Sequence, residues 1–391
     1  MHRLLLATLA LTACGSDLSP CEARTIADCD IHAADCQESH NELLRCVRGD
    51  DQPSPKFLFL TPDEYQRRYP AGAASLDPLV LRGLALLDLA SVPPNPTGPA
   101  GTPPSFFDGE QGQVVVIDDD DLQSILHALA EAHADAALGG YASTIAPQRP
   151  ALSDTLVGLA IFVGESVFYG DAAYFKTAAM DDADFHEHLQ KNLYYDDSLL
   201  DALAVAREPA LEYAAVGGAF AGAYGPRLSL EVWLDGGPEA LRDLYPPDAV
   251  RPRELIRGQL DDDPVTTLDD TLPVLPLGLE YVVHDSLGPW YMHAFQIRAN
   301  PPPPGTPLQD DLARAREIAD AWADDRVSFI HDLASDQIAV WWQVALVDGA
   351  ALTLSFPAGQ EGAWTTLLRD GQLHVVGADT PQLRDRVLAS L

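Results

Sequence analysis

Apolar and polar positions follow the periods of strands and helices along the chain, and the clearest pattern spans Asp118–Leu138. A β-branched run, Gly112–Ile117, comes directly before it and predicts a buried strand. Apolar residues then recur at helical spacing, at Leu122, Ile125, Leu126, Leu129 and Ala136. The pattern therefore predicts a strand that leads into an amphipathic helix with acidic residues at its start.

Regular patterns also flank this helix. Before it, residues 57–70 predict a strand and a short helix, and Asp77–Leu89 predicts a helix. After it, Leu152–Tyr174 is apolar almost all round, which predicts a buried helix. Glu208–Tyr224 predicts a third apolar helix, which the pair Gly225–Pro226 should end.

The last third of the chain changes character and predicts a smaller α+β unit over 275–391. An apolar segment and a charged helix come first, and strands and a closing helix follow: Gly278–Arg298, Asp310–Trp322, Arg326–His331, Gln337–Val347, Ala350–Phe356, Gln372–Val376 and Gln382–Leu391. The strands should form a small antiparallel sheet. The predicted fold class is α+β, with a mainly helical core and a small sheet before this C-terminal subdomain.

Composition limits the partners of this protein. The 391 residues include 24 basic and 59 acidic side chains, which give a formal net charge of −35. Nucleic acid is a poor partner for such a charge, and binding to an anionic lipid surface through charge is equally disfavoured. We interpret the acidity as a soluble surface, because the acidic residues are spread along the chain.

The N-terminus predicts export and a lipid anchor. Arg3 precedes an apolar run, Leu4–Ala13, which is too short to span a bilayer and is typical of a signal peptide over Met1–Ala13. Leu11–Cys14 resembles the lipobox of bacterial lipoproteins. The resemblance implies cleavage before Cys14, lipidation of Cys14 and anchoring in the envelope, with the outer membrane favoured. The alternative is ordinary secretion with cleavage elsewhere.

Four further cysteines, Cys21, Cys29, Cys36 and Cys46, predict two disulfides in an exported protein. They bracket two helix-like segments, and a stapled helical hairpin within 14–50 would pair Cys21 with Cys46 and Cys29 with Cys36. The other two pairings stay open. A second alternative is a zinc site that uses these cysteines with His32 or His40.

Candidate chemistry lies on the predicted central helix. Gln123 and His127 are four residues apart, so they share one helix face. HExxH metallopeptidases present two zinc ligands at this spacing, with a glutamate that activates water. Here Gln123 stands where the first histidine would be, and Ser124 stands where the glutamate would be.

The segment QSILHALAEAHA, Gln123–Ala134, resembles the HELTHALQDQHF-like helix of a group of bacterial zincin-like proteins, many of them lipoproteins. Gly164–Ser166 resembles the EGEA-like motif of their next buried helix, and weaker likeness covers most of residues 57–391. The resemblance implies a zincin-like domain over 57–270, in which Glu165 would be the third zinc ligand.

The departures from this pattern argue against peptidase chemistry. An amide is a much poorer zinc ligand than an imidazole, and at neutral pH the hydroxyl of Ser124 cannot accept the water proton as a glutamate does. We therefore expect Gln123 and Ser124 to be degenerate positions, with no catalytic residue and no cofactor. The predicted function is a non-catalytic envelope lipoprotein with a binding or structural role, whose partners are the membrane and an envelope protein or peptide.

Two alternatives use the residues that remain. His127, Glu131 and Glu165 could form an altered site for zinc or another divalent metal in a metal-dependent hydrolase, because one imidazole and two carboxylates suit a hard metal. In the simpler interpretation, His127 and Glu165 hydrogen-bond to each other across two buried helices.

Overall fold

The structure is a computed structural model, and it describes residues 29–69, 77–90, 104–118, 120–146, 152–177, 193–208, 213–246, 249–260, 267–269, 271–348, 350–356 and 362–391. Helices predominate over two small sheets, which confirms the predicted α+β class. The signal peptide, Cys14 and Cys21 lie outside the described residues.

The first part of the chain forms one helix and a three-stranded sheet with two short helices. Its elements are α1 (Ala34–Arg48), β1 (Lys56–Leu60), α2 (Pro62–Arg68), α3 (Pro78–Leu86), β2 (Phe106–Asp108) and β3 (Gln113–Ile117). The strand order is β1-β3-β2, with β1 parallel and β2 antiparallel to β3. Strand β2 was not predicted, because its three residues follow a proline-rich segment and carry no alternating pattern.

Helices make up the middle of the chain. They are α4 (Leu122–Ala137), a π-helical turn (Tyr141–Ile145), α5 (Leu152–Thr177), α6 (Leu193–Arg207), α7 (Tyr213–Arg242) and α8 (Pro252–Arg257). Helix α4 follows β3 directly, as predicted. The prediction that Gly225–Pro226 ends the third apolar helix is wrong, because α7 continues through Pro226 to Arg242 and leaves helical geometry only at Gly237.

Helices α5 and α7 cross in very close contact at two glycines. A Cβ atom placed on Gly225 would lie 1.9 Å from the carbonyl oxygen of Ala160, and one on Gly164 would lie 2.2 Å from the backbone of Gly225. Helix α5 is long and apolar enough to span a membrane, but 83% of its most apolar 18-residue window is buried inside the protein. This burial is typical of a core helix.

The last part of the chain forms a five-stranded antiparallel sheet with three helices. The elements are β4 (Leu279–Asp285), α9 (Gly288–Ala299), α10 (Leu308–Ala321), β5 (Trp322–Asp332), β6 (Gln337–Leu346), β7 (Trp364–Arg369), β8 (Gln372–Ala378) and α11 (Pro381–Leu388). The strand order is β4-β5-β6-β8-β7. The predicted strand at Ala350–Phe356 is wrong, since these residues pair with no strand among the described residues; β7 is the strand that the pattern missed.

A buried carboxylate, that of Asp325, joins this sheet to the helices. It accepts hydrogen bonds of 2.7–3.2 Å from the Ser286 hydroxyl, the backbone N–H groups of Leu287 and Gly288, and the indole N–H groups of Trp322 and Trp342. Burial raises the pKa of Asp325. The five donors compensate for removing the carboxylate from water and hold the start of α9 against β5 and β6.

One large apolar core connects the parts of the chain. It contains Leu43 and Leu44 of α1, Val116 of β3 and Trp342 of β6, all of which are buried. A smaller cluster lies on the other face of the five-stranded sheet, beneath α11. The helix that carries Cys36 is therefore packed into the main core.

Candidate functional site

Helix α4 begins at Leu122, shortly after strand β3 ends at Ile117, and its first turn carries Gln123 and Ser124. The side chain of Asp121 accepts a hydrogen bond of 2.8 Å from the backbone N–H of Ser124, which caps the helix. Gln123 and Ser124 thus lie in the first turn, and His127 follows one turn later on the face of Gln123.

Helix α5 crosses α4 at His127. A Cβ atom on Gly170 would lie 2.5 Å from the His127 ring and 2.9 Å from its Cα atom, so only a glycine permits this approach. The crossing places Asp171 opposite Gln123 and His127. The Asp171 Oδ1 atom lies 2.9 Å from Gln123 Nε2 and 2.7 Å from His127 Nε2, and the Asp171 side chain is fully buried.

The prediction that Glu165 faces this pair is wrong. The Glu165 carboxylate forms an ion pair of 2.8 Å with Arg48 of α1 and accepts a short hydrogen bond from the Tyr245 hydroxyl. Positions 165 and 171 are six residues apart on one helix, so they point about 120° away from each other around its axis. Asp171, which the sequence analysis missed, takes the place that the resemblance assigned to Glu165.

Arg48 is the centre of a second buried polar cluster. Besides Glu165, it pairs with Asp50 at 3.0 Å, and its guanidinium lies 4.6 Å from the centre of the Tyr169 ring. Burial alone would lower the pKa of Arg48, but the charges of Glu165 and Asp50 raise it overall. Burial and the neighbouring Glu165 raise the pKa of Tyr245 well above its ordinary value. The cluster joins α1 to the helical core.

Glu131 lies one turn beyond His127 and points to the outer strand of the three-stranded sheet. Its carboxylate accepts a hydrogen bond of 3.2 Å from the backbone N–H of Phe107 in β2. Burial raises the pKa of Glu131, and the hydrogen bond from Phe107 and the nearby His127 partly offset this. Glu131 therefore has a structural partner of its own.

The outer edge of β2 is closed by two carboxylates. The backbone N–H groups of Ser105 and Phe107 are two residues apart and so face the same way; they donate to Asp120 and Glu131 respectively. An extended peptide that joined this edge would need these same donors. The carboxylates occupy the places where such a peptide would pair.

The Gln123–His127–Asp171 group, hereafter the triad, does not fit zinc. Asp171 Oδ1 and His127 Nε2 lie at hydrogen-bond distance from each other, so the two atoms are bonded to one another and are not arranged around a common ion. Ligands of a tetrahedral zinc ion, each about 2.0–2.1 Å from it, lie roughly 3.3 Å apart, whereas the Nε2–Oδ1 distance is 2.7 Å. Gln123 adds an amide donor and no imidazole.

The cysteines confirm one predicted disulfide. Cys29 and Cys36 are bonded. Cys46 is also disulfide-bonded, while its predicted partner Cys21 and the lipidation site Cys14 lie outside the described residues. His133, which trails the degenerate motif, is buried and hydrogen-bonds through Nε2 to Asn41 of α1 at 3.1 Å.

A signal for Asp171 was present in the sequence. It is an acidic residue inside an otherwise apolar helix, and a buried carboxylate needs a partner. Glu165 has the same property, and the motif resemblance favoured Glu165.

Comparison of the chain with protein-family models, with curated proteins and with solved structures finds no match.

Proposed function

We propose that this protein is a non-catalytic cell-envelope lipoprotein whose zincin-like core has a binding or structural role. The observation that carries the proposal is the triad. A zincin would carry zinc-binding histidines at positions 123 and 127, and here the side chains at both positions share one buried carboxylate oxygen of Asp171. Ser124 offers no carboxylate to activate water, so the three positions stabilise the packing of α4 on α5 and support no hydrolysis.

The altered hydrolase site of His127, Glu131 and Glu165 receives less support. Glu165 is paired with Arg48 and Tyr245, and Glu131 is bonded to the backbone of β2. Metal binding by all three would therefore break two sets of buried contacts.

The closed edge of β2 also argues that an envelope partner binds elsewhere than in a peptide cleft beside α4.

Restoring the missing groups tests the proposal. A Gln123→His plus Ser124→Glu variant should bind zinc, because it supplies the second imidazole that the triad lacks and Asp171 faces both imidazole positions. Adding Asp171→Ala should abolish zinc binding, whereas adding Glu165→Gln should leave it unchanged. The wild-type protein should bind no stoichiometric zinc and cleave no peptide in a broad peptidase assay. Failure of the double variant to bind zinc would contradict the zincin-like assignment, and dependence of its zinc binding on Glu165 would contradict the role of Asp171.

The membrane anchor is tested separately. The lipobox-like Leu11–Cys14 supports lipidation of Cys14. Expression in a bacterium that processes lipoproteins should yield a membrane-bound chain that incorporates labelled palmitate, and Cys14→Ser should abolish both properties. Equal labelling of the variant would contradict the proposed anchor.

A further inference from the structure

Cys29, Cys36 and His40 form a compact group near the start of α1, hereafter the thiol–imidazole cluster. The two sulfurs and a ring nitrogen of His40 all lie within 4.8 Å of one another. The sulfurs are joined as a disulfide, and the Cys29 sulfur is 3.9 Å from His40 Nε2. Two sulfurs and one imidazole are ligands that zinc prefers.

Contacts other than the disulfide hold two of these ligands. Cys36 and His40 are four residues apart on α1 and so share one face. Helix α1 is fixed by Leu43 and Leu44 in the main core and by the ion pair of Arg48 with the core helix. Cleavage of the disulfide would therefore leave Cys36 and His40 in place.

The segment that carries the third ligand is also held. The backbone N–H of Ala33 donates to the Asp30 carbonyl at 2.8 Å, and the Gln37 amide donates to the Ile31 carbonyl at 3.0 Å. The His32 ring lies 4.1 Å from that of Phe59 in β1. These contacts keep the segment against α1 and direct His32 to the sheet, which leaves His40 as the histidine of the cluster.

The cluster is buried on one side and open to solvent on the other. Cys36 and His40 are each only 3% exposed, while Cys29 is exposed to solvent. The Nε2 atom of the His40 ring lies on the side of the two sulfurs, 3.9 Å from that of Cys29. A metal could approach from the side of Cys29, where water could take a fourth position.

We propose that the reduced thiol–imidazole cluster binds one zinc ion through the sulfurs of Cys29 and Cys36 and a ring nitrogen of His40. The disulfide is the closed form, which binds no metal. A dithiol reductant donates two electrons and two protons to the disulfide and becomes a disulfide itself; zinc then displaces the two thiol protons. The inference is independent of the proposed envelope function, because it involves none of the triad.

The test uses the full chain with Cys14, Cys21 and Cys46 changed to Ser, so that Cys29 and Cys36 are the remaining cysteines. Zinc titration should give one ion per chain after reduction with a phosphine and none after oxidation. Cobalt should give the absorption of a tetrahedral thiolate complex in the reduced protein alone. Absence of zinc binding after reduction, or equal binding after oxidation, would overturn the proposal.

Histidine variants in the same chain test the third ligand. His40→Gln should weaken zinc affinity by about tenfold or more, since it removes one of three protein ligands. His40→Cys should retain tight binding, because it replaces the imidazole with a thiolate. The matched control His32→Gln should leave the affinity unchanged. Circular dichroism checks folding, and equal losses for His32→Gln and His40→Gln would contradict the assignment of His40.

Discussion

At the scale of single residues, the sequence predicts the features of the site that depend on local spacing along a helix. Gln123 and His127 share a helix face as their spacing predicts, because that relation is local. The partner of this pair was not predictable in the same way. It depends on how α5 crosses α4. The crossing is fixed by the close approach of Gly170 to His127, and these two residues are 43 positions apart in the sequence.

Asp325 accepts hydrogen bonds from five donors that belong to different elements of the fold. Asp325→Asn would turn an amide N–H₂ toward indole and backbone donors that now meet a carboxylate oxygen. We expect a loss of about 3 kcal/mol in the free energy of unfolding, measured by urea titration. The control Asp320→Asn, at a side chain that is 62% exposed, should change it by less than about 0.5 kcal/mol. Equal effects would contradict the role of Asp325.

Buried histidines predict sensitivity to acid. Burial lowers the pKa of His133 and of His293 to about 3, whereas an unfolded chain has histidine pKa values of about 6.5. Between these values the unfolded state binds more protons, so the free energy of unfolding falls as pH falls below about 6.5. At pH 5 each histidine contributes a loss on the order of 2 kcal/mol.

The variant His293→Phe isolates this effect. It should reduce the drop in unfolding free energy between pH 7.5 and pH 5 by roughly the contribution of one histidine. Urea titrations of both proteins at the two pH values measure the difference. An unchanged drop would show that His293 is not held neutral in the folded protein.

At the scale of elements, local patterns predicted most helices and strands, and the errors arose where distant contacts decide. Strand β2 exists because it pairs with β3, and its three residues carry no pattern of their own. Gly225–Pro226 resembles a helix end, yet α7 continues there because it packs against α5. Ala350–Phe356 has the composition of a strand but no partner strand among the described residues.

The crossing of α5 and α7 should tolerate no side chain at Gly225. The Cβ atom of Gly225→Ala would overlap the backbone of Ala160, which cannot move without displacing α5. We expect a loss of about 3 kcal/mol in the free energy of unfolding, measured by denaturant titration. Gly222→Ala is the matched control on the same helix, since nothing lies within 4 Å of its Cβ position; it should stabilise the protein by about 0.5–1 kcal/mol. Similar effects at both positions would contradict this packing.

At the scale of the whole molecule, α1 is part of the main core. The sequence predicted a disulfide-stapled unit before the main domain, and the helical hairpin proposed for it would pair Cys29 with Cys36, which are bonded. The docking of α1 was not predictable, because it rests on contacts that join distant segments: Arg48 with Glu165 and Asn41 with His133. Both pairs connect α1 to the helices that carry the triad.

Breaking the Arg48–Glu165 pair should destabilise the molecule. Arg48→Met leaves a buried carboxylate without its cation and should cost about 3–5 kcal/mol in thermal or denaturant unfolding. The double variant Arg48→Met plus Glu165→Gln should recover at least half of this loss, because the Gln amide is neutral and can still accept from Tyr245. Simple additivity of the two changes would contradict a direct buried ion pair.

We propose that the triad is a hydrogen-bonded group and not a metal site. Nitrogen NMR of ¹⁵N-histidine-labelled protein tests it most directly, with the His127 signal identified by its loss in His127→Gln. We predict that Nε2 carries the proton of the hydrogen bond to Asp171 and that the His127 signal does not change when zinc is added. A proton on Nδ1, with an Nε2 signal that shifts stoichiometrically with zinc, would contradict the account.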